Sequence, residues 1–107
     1  VHNRAFFPGN GQQRKGSVEV RDVARAFHIY SVEWTPEVVR VFIDGSPYFN
    51  YYNEGRGWEA WPYDHPYQLI FNLAIGGTWG GSGGPTDDSI FPVRMAVDYV
   101  RYFTPQP

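Results

Sequence analysis

The sequence contains no cysteine, so disulfides and thiolate-ligated metal sites are excluded. It has no run of about 18 apolar residues, the length that a membrane-spanning helix needs. No membrane partner is therefore expected. The opening residues, Val1-His2-Asn3-Arg4, carry no apolar core of the kind found in a signal peptide. Charge of either sign is scarce as well: nine basic and eleven acidic residues leave a formal net charge of −2. A nucleic-acid binder needs a basic patch to displace counterions from phosphate, so no nucleic-acid partner is expected either. Internal repeats, heptads and low-complexity tracts are missing, apart from one stretch that holds six of the twelve glycines, residues 76–85 (GGTWGGSGGP).

What is plentiful is aromatic. Four Trp, eight Tyr and eight Phe make up 19% of the chain, beside nine prolines and an apolar content of 42%. This is a globular, turn-rich composition and not that of a disordered chain. The 107 residues suffice for one small domain at most.

The pattern along the chain is that of short strands. Residues 1–7 (VHNRAFF) open directly into structure, and a polar loop follows over 8–16. Residues 17–21 alternate Val18 and Val20 with polar neighbours, which predicts a half-exposed strand. Residues 22–25 suit a turn. Residues 27–34 (FHIYSVEW) are dense in aromatic and β-branched side chains and stop at Thr35-Pro36, a strand with a clear end. Residues 38–43 (VVRVFI) predict the next strand. Asp44-Gly45 closes it as a hairpin turn, because both turn positions favour positive φ. Residues 46–52 (SPYFNYY) return, and Pro47 assigns them to an edge or a strand start.

Residues 53–66 read as a loop. Residues 67–75 (YQLIFNLAI) are too short for a typical helix and predict a strand. The glycine-rich stretch predicts neither helix nor core strand. Residues 95–103 (MAVDYVRYF) alternate and end at Thr104-Pro105. Six or seven antiparallel strands with almost no helix describe an all-β sandwich.

Few residues suggest catalysis. Glycoside cleavage by a retaining route needs two carboxyls roughly 5–5.5 Å apart, and no strand carries acids at alternate or fourth positions. Asp87 and Asp88 are adjacent and read as loop acids. His2, His28 and His65 lack metal-ligand spacing. No serine sits in a nucleophile elbow. The glycine stretch lacks the Lys-Ser/Thr that closes a phosphate loop.

The aromatics carry more. Flat rings stack on the apolar C–H faces of sugars, although strands also use aromatics as core. Trp79 sits between glycine pairs in a loop, where function often resides. Strand parity divides 67–75 into an apolar face (Leu69, Phe71, Leu73, Ile75) and a face with Gln68, Ile70, Asn72 and Ala74. Asn72 is either a ligand contact or an amide that satisfies its neighbours.

Three segments, FHIYSVEWTPEVVRVFIDG, WPYDHPYQLIFNLAIGGTWGG and DDSIFPVRMAVDYVRYF, resemble glycoside hydrolase family 16, most closely its laminarinase-type β-1,3-glucanases. The resemblance runs from Val1-His2 to Phe103. It implies a β-jelly-roll sandwich, concanavalin A-like, with a glucan cleft and a retaining mechanism. The family's catalytic signature, E-[IL]-D-x-x-E, is not in this sequence. It precedes the strand that Val1-His2-Asn3 resembles. Residues 1–107 are therefore expected to be the C-terminal portion of one such domain, with no catalytic residue of their own.

The resemblance implies supporting roles for particular residues. His2 would line the cleft beside the catalytic strand. Tyr30 would face the cleft. Trp34 shares its face and is either a cleft or a core residue. Asn72 and Trp79 would contact substrate. Asp98 would contribute one oxygen to a structural calcium whose other ligands lie elsewhere. No cofactor is expected for catalysis. The expected partner is a β-1,3-glucan, with the N-terminal half of the domain, or a second copy of the chain, completing unpaired sheet edges. Secretion is expected. The alternative is a glucan-binding recognition protein that has lost the acids.

Overall fold

In a computed structural model the described residues are 1–6 and 14–105, except for the side chains of Trp79 and Ser82. Two compact units divide the chain, the first ending at Tyr67 and the second beginning at Gln68. The elements are all-β and antiparallel, as the strand pattern and the jelly-roll resemblance imply.

The first unit is built on a three-stranded antiparallel sheet in the order β1-β2-β3. Its strands are β1 (Tyr30–Trp34), β2 (Val38–Ile43) and β3 (Ser46–Tyr52). All three were expected, and β2 and β3 have the expected bounds. The hairpin turn is as predicted: Asp44 has φ 49° and Gly45 φ 78°, the two positive values of a type I′ turn. β3 lies at an edge, which leaves Pro47 without a ladder bond to lose. The register shifts between Val41 and Phe42, where Val41 pairs with Phe49 but Phe42 pairs with Pro47. Tyr48 is the extra residue of that bulge.

Pairing sorts the side chains by face. Tyr30, Val32 and Trp34 lie opposite Ile43, Val41 and Val39, and the last two lie opposite Phe49 and Tyr51. This face is apolar except for Ser46, which lies opposite Ile43. On the other face Glu33 lies opposite Arg40, and their side chains form an ion pair at 3.2 Å.

The core sits on the apolar face. Phe6, Tyr51 and Trp61 are buried together, with Val1, Ala5, Val39, Phe49 and Tyr63 against them. Tyr51 stacks on Trp61 with ring centroids 5.3 Å apart, and Phe6 meets it edge-on at 6.1 Å. Asn3 is buried among them. Its Nδ2 donates to the Ala60 carbonyl (2.8 Å) and its Oδ1 accepts from the Phe6 N–H (3.0 Å). The residues expected to open a strand instead turn at once, in a 3₁₀ turn over Arg4–Phe6. The Asn3 side chain explains this, because it caps the turn from inside the core.

Several expected strands are not formed among the described residues. Residues 17–21 run beside β3 without a ladder. At Gly16, where an added Cβ would lie 2.8 Å from the Phe49 Cβ, the chain passes too close for any side chain. Residues 67–75 and 95–103 lie outside any hydrogen-bonded strand. A strand is a property of a pair, and no described edge pairs with these segments. Leu69, Phe71, Leu73 and Ile75, the apolar face predicted for 67–75, are 69%, 53%, 52% and 43% exposed. The glycine-rich stretch, expected to contain no helix, forms one helical turn over Gly77–Gly80 and a 3₁₀ turn over Gly81–Gly83.

Candidate functional site

Two of the candidate residues are joined through a third that the sequence did not single out. The Tyr63 hydroxyl donates to the His2 carbonyl at 2.9 Å. The Trp34 indole N–H donates to the Tyr63 carbonyl at 2.8 Å. One tyrosine thus holds the His2 backbone and the Trp34 ring at the same end of the apolar face. Tyr67 completes the group, edge-on to Trp34 at 5.6 Å. Its own hydroxyl donates to the Pro62 carbonyl at 2.8 Å. Val1, Val32, Trp34, Val39, Tyr63 and Tyr67 line a shallow groove there. Its lining is aliphatic and aromatic, a surface for the flat face of a ring and not for a charge. Trp34 keeps 44% of its surface and Tyr67 55%.

Tyr30 lies two residues along the same face of β1 and is well exposed. It lines a second groove, of about 320 Å³, with Ile43, Tyr48 and residues of the segment before β1. Tyr30 and Trp34 therefore share one sheet face, and His2 belongs to the same unit, its carbonyl tied to that end through Tyr63. The other candidates lie in the second unit. Asn72 is exposed and sits in the irregular segment before the glycines. Trp79 falls in the Gly77–Gly80 turn, and its side chain lies outside the described ones. Asp98 is exposed, and among the described residues no group of three acids or histidines is arranged to hold a metal ion. The described side chains do not by themselves make a calcium site.

The carboxylates of the first unit are engaged elsewhere. Glu19 pairs with Arg21, Glu33 with Arg40, Glu54 with Arg14 and Arg56, and Glu59 with Arg4. Asp64 lies beside His65, and Glu37 accepts from the Thr35 hydroxyl. Asp22 and Asp44 both face His28. Asp87 in the second unit caps its own turn through the Ser89 N–H and hydroxyl. None of these pairs is two carboxyls facing each other across a gap that could hold a glycosidic bond.

Burial pushes the phenols of Tyr51 and Tyr63 above their ordinary range. Both stay neutral hydrogen-bonding groups at neutral pH. Tyr63, Tyr67 and Asn3 are the residues that sequence reasoning passed over. A signal for the tyrosines was present in WPYDHPY: two prolines, each directly before a tyrosine, stiffen the loop that carries them.

The profile of glycosyl hydrolases family 16 matches residues 1–101. The chain belongs to that family. It is 44% identical over 108 residues to a beta-glucanase of Rhodothermus marinus, covering 96% of this chain and 37% of that protein. It is 33% identical over 96 residues to glucan endo-1,3-beta-glucosidase A1 of Niallia circulans, covering 82% of this chain and 14% of that protein. It is 38% identical over 77 residues to the clotting factor G alpha subunit of Tachypleus tridentatus, covering 72% of this chain and 11% of that protein. The chain thus spans little more than a third of the first relative and less of the other two. No solved structure matches it significantly.

Proposed function

We propose that this chain is the cleft-forming, non-catalytic portion of a secreted retaining endo-β-1,3-glucanase domain. The observation that carries the reading is the Tyr63 bridge. It sets the Trp34 ring and the His2 backbone on one exposed aromatic face, with Tyr30 two positions along. Such a face suits the C–H surfaces of glucose rings in a β-glucan. Asn72 and Trp79 are substrate contacts on the strength of the family resemblance. Nucleophile and acid/base are glutamates of an E-x-D-x-x-E strand that precedes residue 1 in the whole protein. Double displacement requires these two acids to stand roughly 5–5.5 Å apart. Asp98 contributes one oxygen to a calcium site completed by residues of that other segment.

The test is release of reducing ends from laminarin. The 107-residue chain is assayed alone and together with the segment that carries the glutamates. We expect no release from the chain alone and release from the combination. Hydrolysis by the chain alone would overturn the placement of the acids. Binding of laminarin by the combination without hydrolysis would favour a recognition protein instead.

A further inference from the structure

Residues 14–26 form a strap over the far end of the apolar face. Gly16, Ser17, Val18, Val20 and Val23 of the strap share a groove with Tyr30, Ile43 and Tyr48 of the sheet. The two ends of the strap are held differently. At its start, Arg14 pairs with Glu54 at 3.3 Å and its guanidinium lies 5.1 Å from the Phe6 ring centre. The Val1 ammonium donates to the Arg14 carbonyl at 2.6 Å. At its close, Asp22 heads a turn whose carbonyl accepts from the N–H groups of Arg25 (2.7 Å) and Ala26 (3.1 Å). His28 stands between that turn and the Asp44 hairpin.

His28 lies between two carboxylates. Its Nδ1 is 2.7 Å from Asp44 Oδ2 and its Nε2 is 3.1 Å from Asp22 Oδ1. The Asp44 carboxylate is fixed in place, because its Oδ1 accepts the Ile29 N–H at 2.9 Å. The ring is 12% exposed, so water does little for it. Tyr30 presents its ring edge-on at 6.5 Å and brings no charge. Arg21, next to Asp22, is paired with Glu19.

A neutral imidazole has one N–H. The short, well-directed contact to Asp44 takes it. Nε2 would then turn a lone pair toward a carboxylate 3.1 Å away, which repels. A second proton reverses that. The Asp22 contact is off hydrogen-bond alignment and Nε2 has no other partner among the described residues, so its attraction rests on the charge of the ring.

We propose that His28 is a proton-operated clasp: charged, it ties the Asp22 turn to the Asp44 hairpin and keeps the strap over the Tyr30 groove, and neutral, it frees that end of the strap. The hydrogen bond to Asp44, followed by the charges of both carboxylates, raises the His28 pKa. The clasp is therefore complete below the ordinary histidine value of about 6.5 and is lost as pH rises through the raised value. The His28 hydrogen bond lowers the Asp44 pKa. That carboxylate is lost only as pH falls through the depressed value. The consequence for sugar binding rests on the functional reading of Tyr30. The clasp itself does not.

Amide hydrogen exchange, corrected for intrinsic rates, tests it at about pH 5.5 and about pH 8.5, either side of a histidine titration. We expect protection of residues 17–26 to fall about two- to fivefold on going to the higher pH, the range of a partly exposed ion pair. β2 and β3 should hold theirs. Asp22→Asn should weaken the strap at the lower pH and leave the Asp44 hairpin protected. His28→Gln should leave only the pH response that the Val1 ammonium contributes at the start of the strap. If that variant does not fold, Asp22→Asn, at a half-exposed carboxylate, carries the test alone. Equal protection of the strap at both pH values in the parent, or parent-like protection in Asp22→Asn, would overturn the proposal. No glucan enters the assay, so its outcome is independent of the functional reading.

Discussion

Asn3→Ala probes how the first unit is held together. The side chain is 9% exposed and makes three hydrogen bonds. Nδ2 donates to the Ala60 carbonyl at 2.8 Å and to the Tyr51 hydroxyl oxygen at 3.3 Å, and Oδ1 accepts from the Phe6 N–H at 3.0 Å. Each such bond is worth about 0.5–1.5 kcal/mol net, and a buried group left unpaired costs more. Two of the partners keep a substitute. The Ala60 carbonyl still accepts from the Tyr51 hydroxyl at 2.7 Å, and the Phe6 N–H still reaches the Asn3 carbonyl at 3.3 Å. The expected loss is therefore about 1.5–3 kcal/mol, below what three unsupported bonds would give.

Asn3→Asp sharpens the argument. It keeps the acceptor for Phe6 but sets an oxygen against the Ala60 carbonyl. Burial raises such a carboxyl's pKa, so its penalty should shrink as pH falls and the group protonates. Urea unfolding followed by tryptophan fluorescence measures both, because Trp61 stacks on Tyr51 beside the site. An Asn3→Ala loss under about 0.5 kcal/mol, or an Asn3→Asp penalty that ignores pH, would refute the reasoning.

Other outcomes follow from the same geometry. Gly45→Ala should cost about 1–2 kcal/mol through backbone strain alone, because φ is +78° and nothing lies within 4 Å of the added carbon. Gly16→Ala should cost about 1–3 kcal/mol for the opposite reason, a clash with Phe49 and the Tyr48 carbonyl; thermal unfolding compares the two. Burial raises the Tyr51 and Tyr63 pKa values, so their contribution to stability is complete below about pH 10 and is lost as pH rises through the raised values. The phenolate absorbance lost in Tyr51→Phe and Tyr63→Phe variants should thus appear together with unfolding and not before it. In the protein that carries the glutamates, Trp34→Ala should raise KM for laminarin about tenfold, equivalent to roughly 1.4 kcal/mol, with a smaller change in kcat.

How far the site was legible depends on the range of the interactions. Tyr30 and Trp34 share a face because a strand alternates, and parity alone was enough to pair them. Joining His2 to Trp34 needed Tyr63, which is 61 residues from His2 along the chain. No local pattern encodes that. Asn3 carries no local signal, because a short polar side chain gives no sign that a core will form around it. His28 looked like an isolated histidine until the turn and the hairpin brought Asp22 and Asp44 to its two nitrogens.

The scarcities of the sequence still stand as its firmest content. Without cysteine there is no covalent staple. By itself the sequence also determined β1, β2, β3 and their hairpin, since alternation and an Asp-Gly turn are local signals of backbone conformation. Only the tertiary structure decided which apolar segments become strands. Residues 67–75 and 95–103 have the composition of strands yet remain outside the ladder, because a strand exists only where another edge supplies its hydrogen bonds.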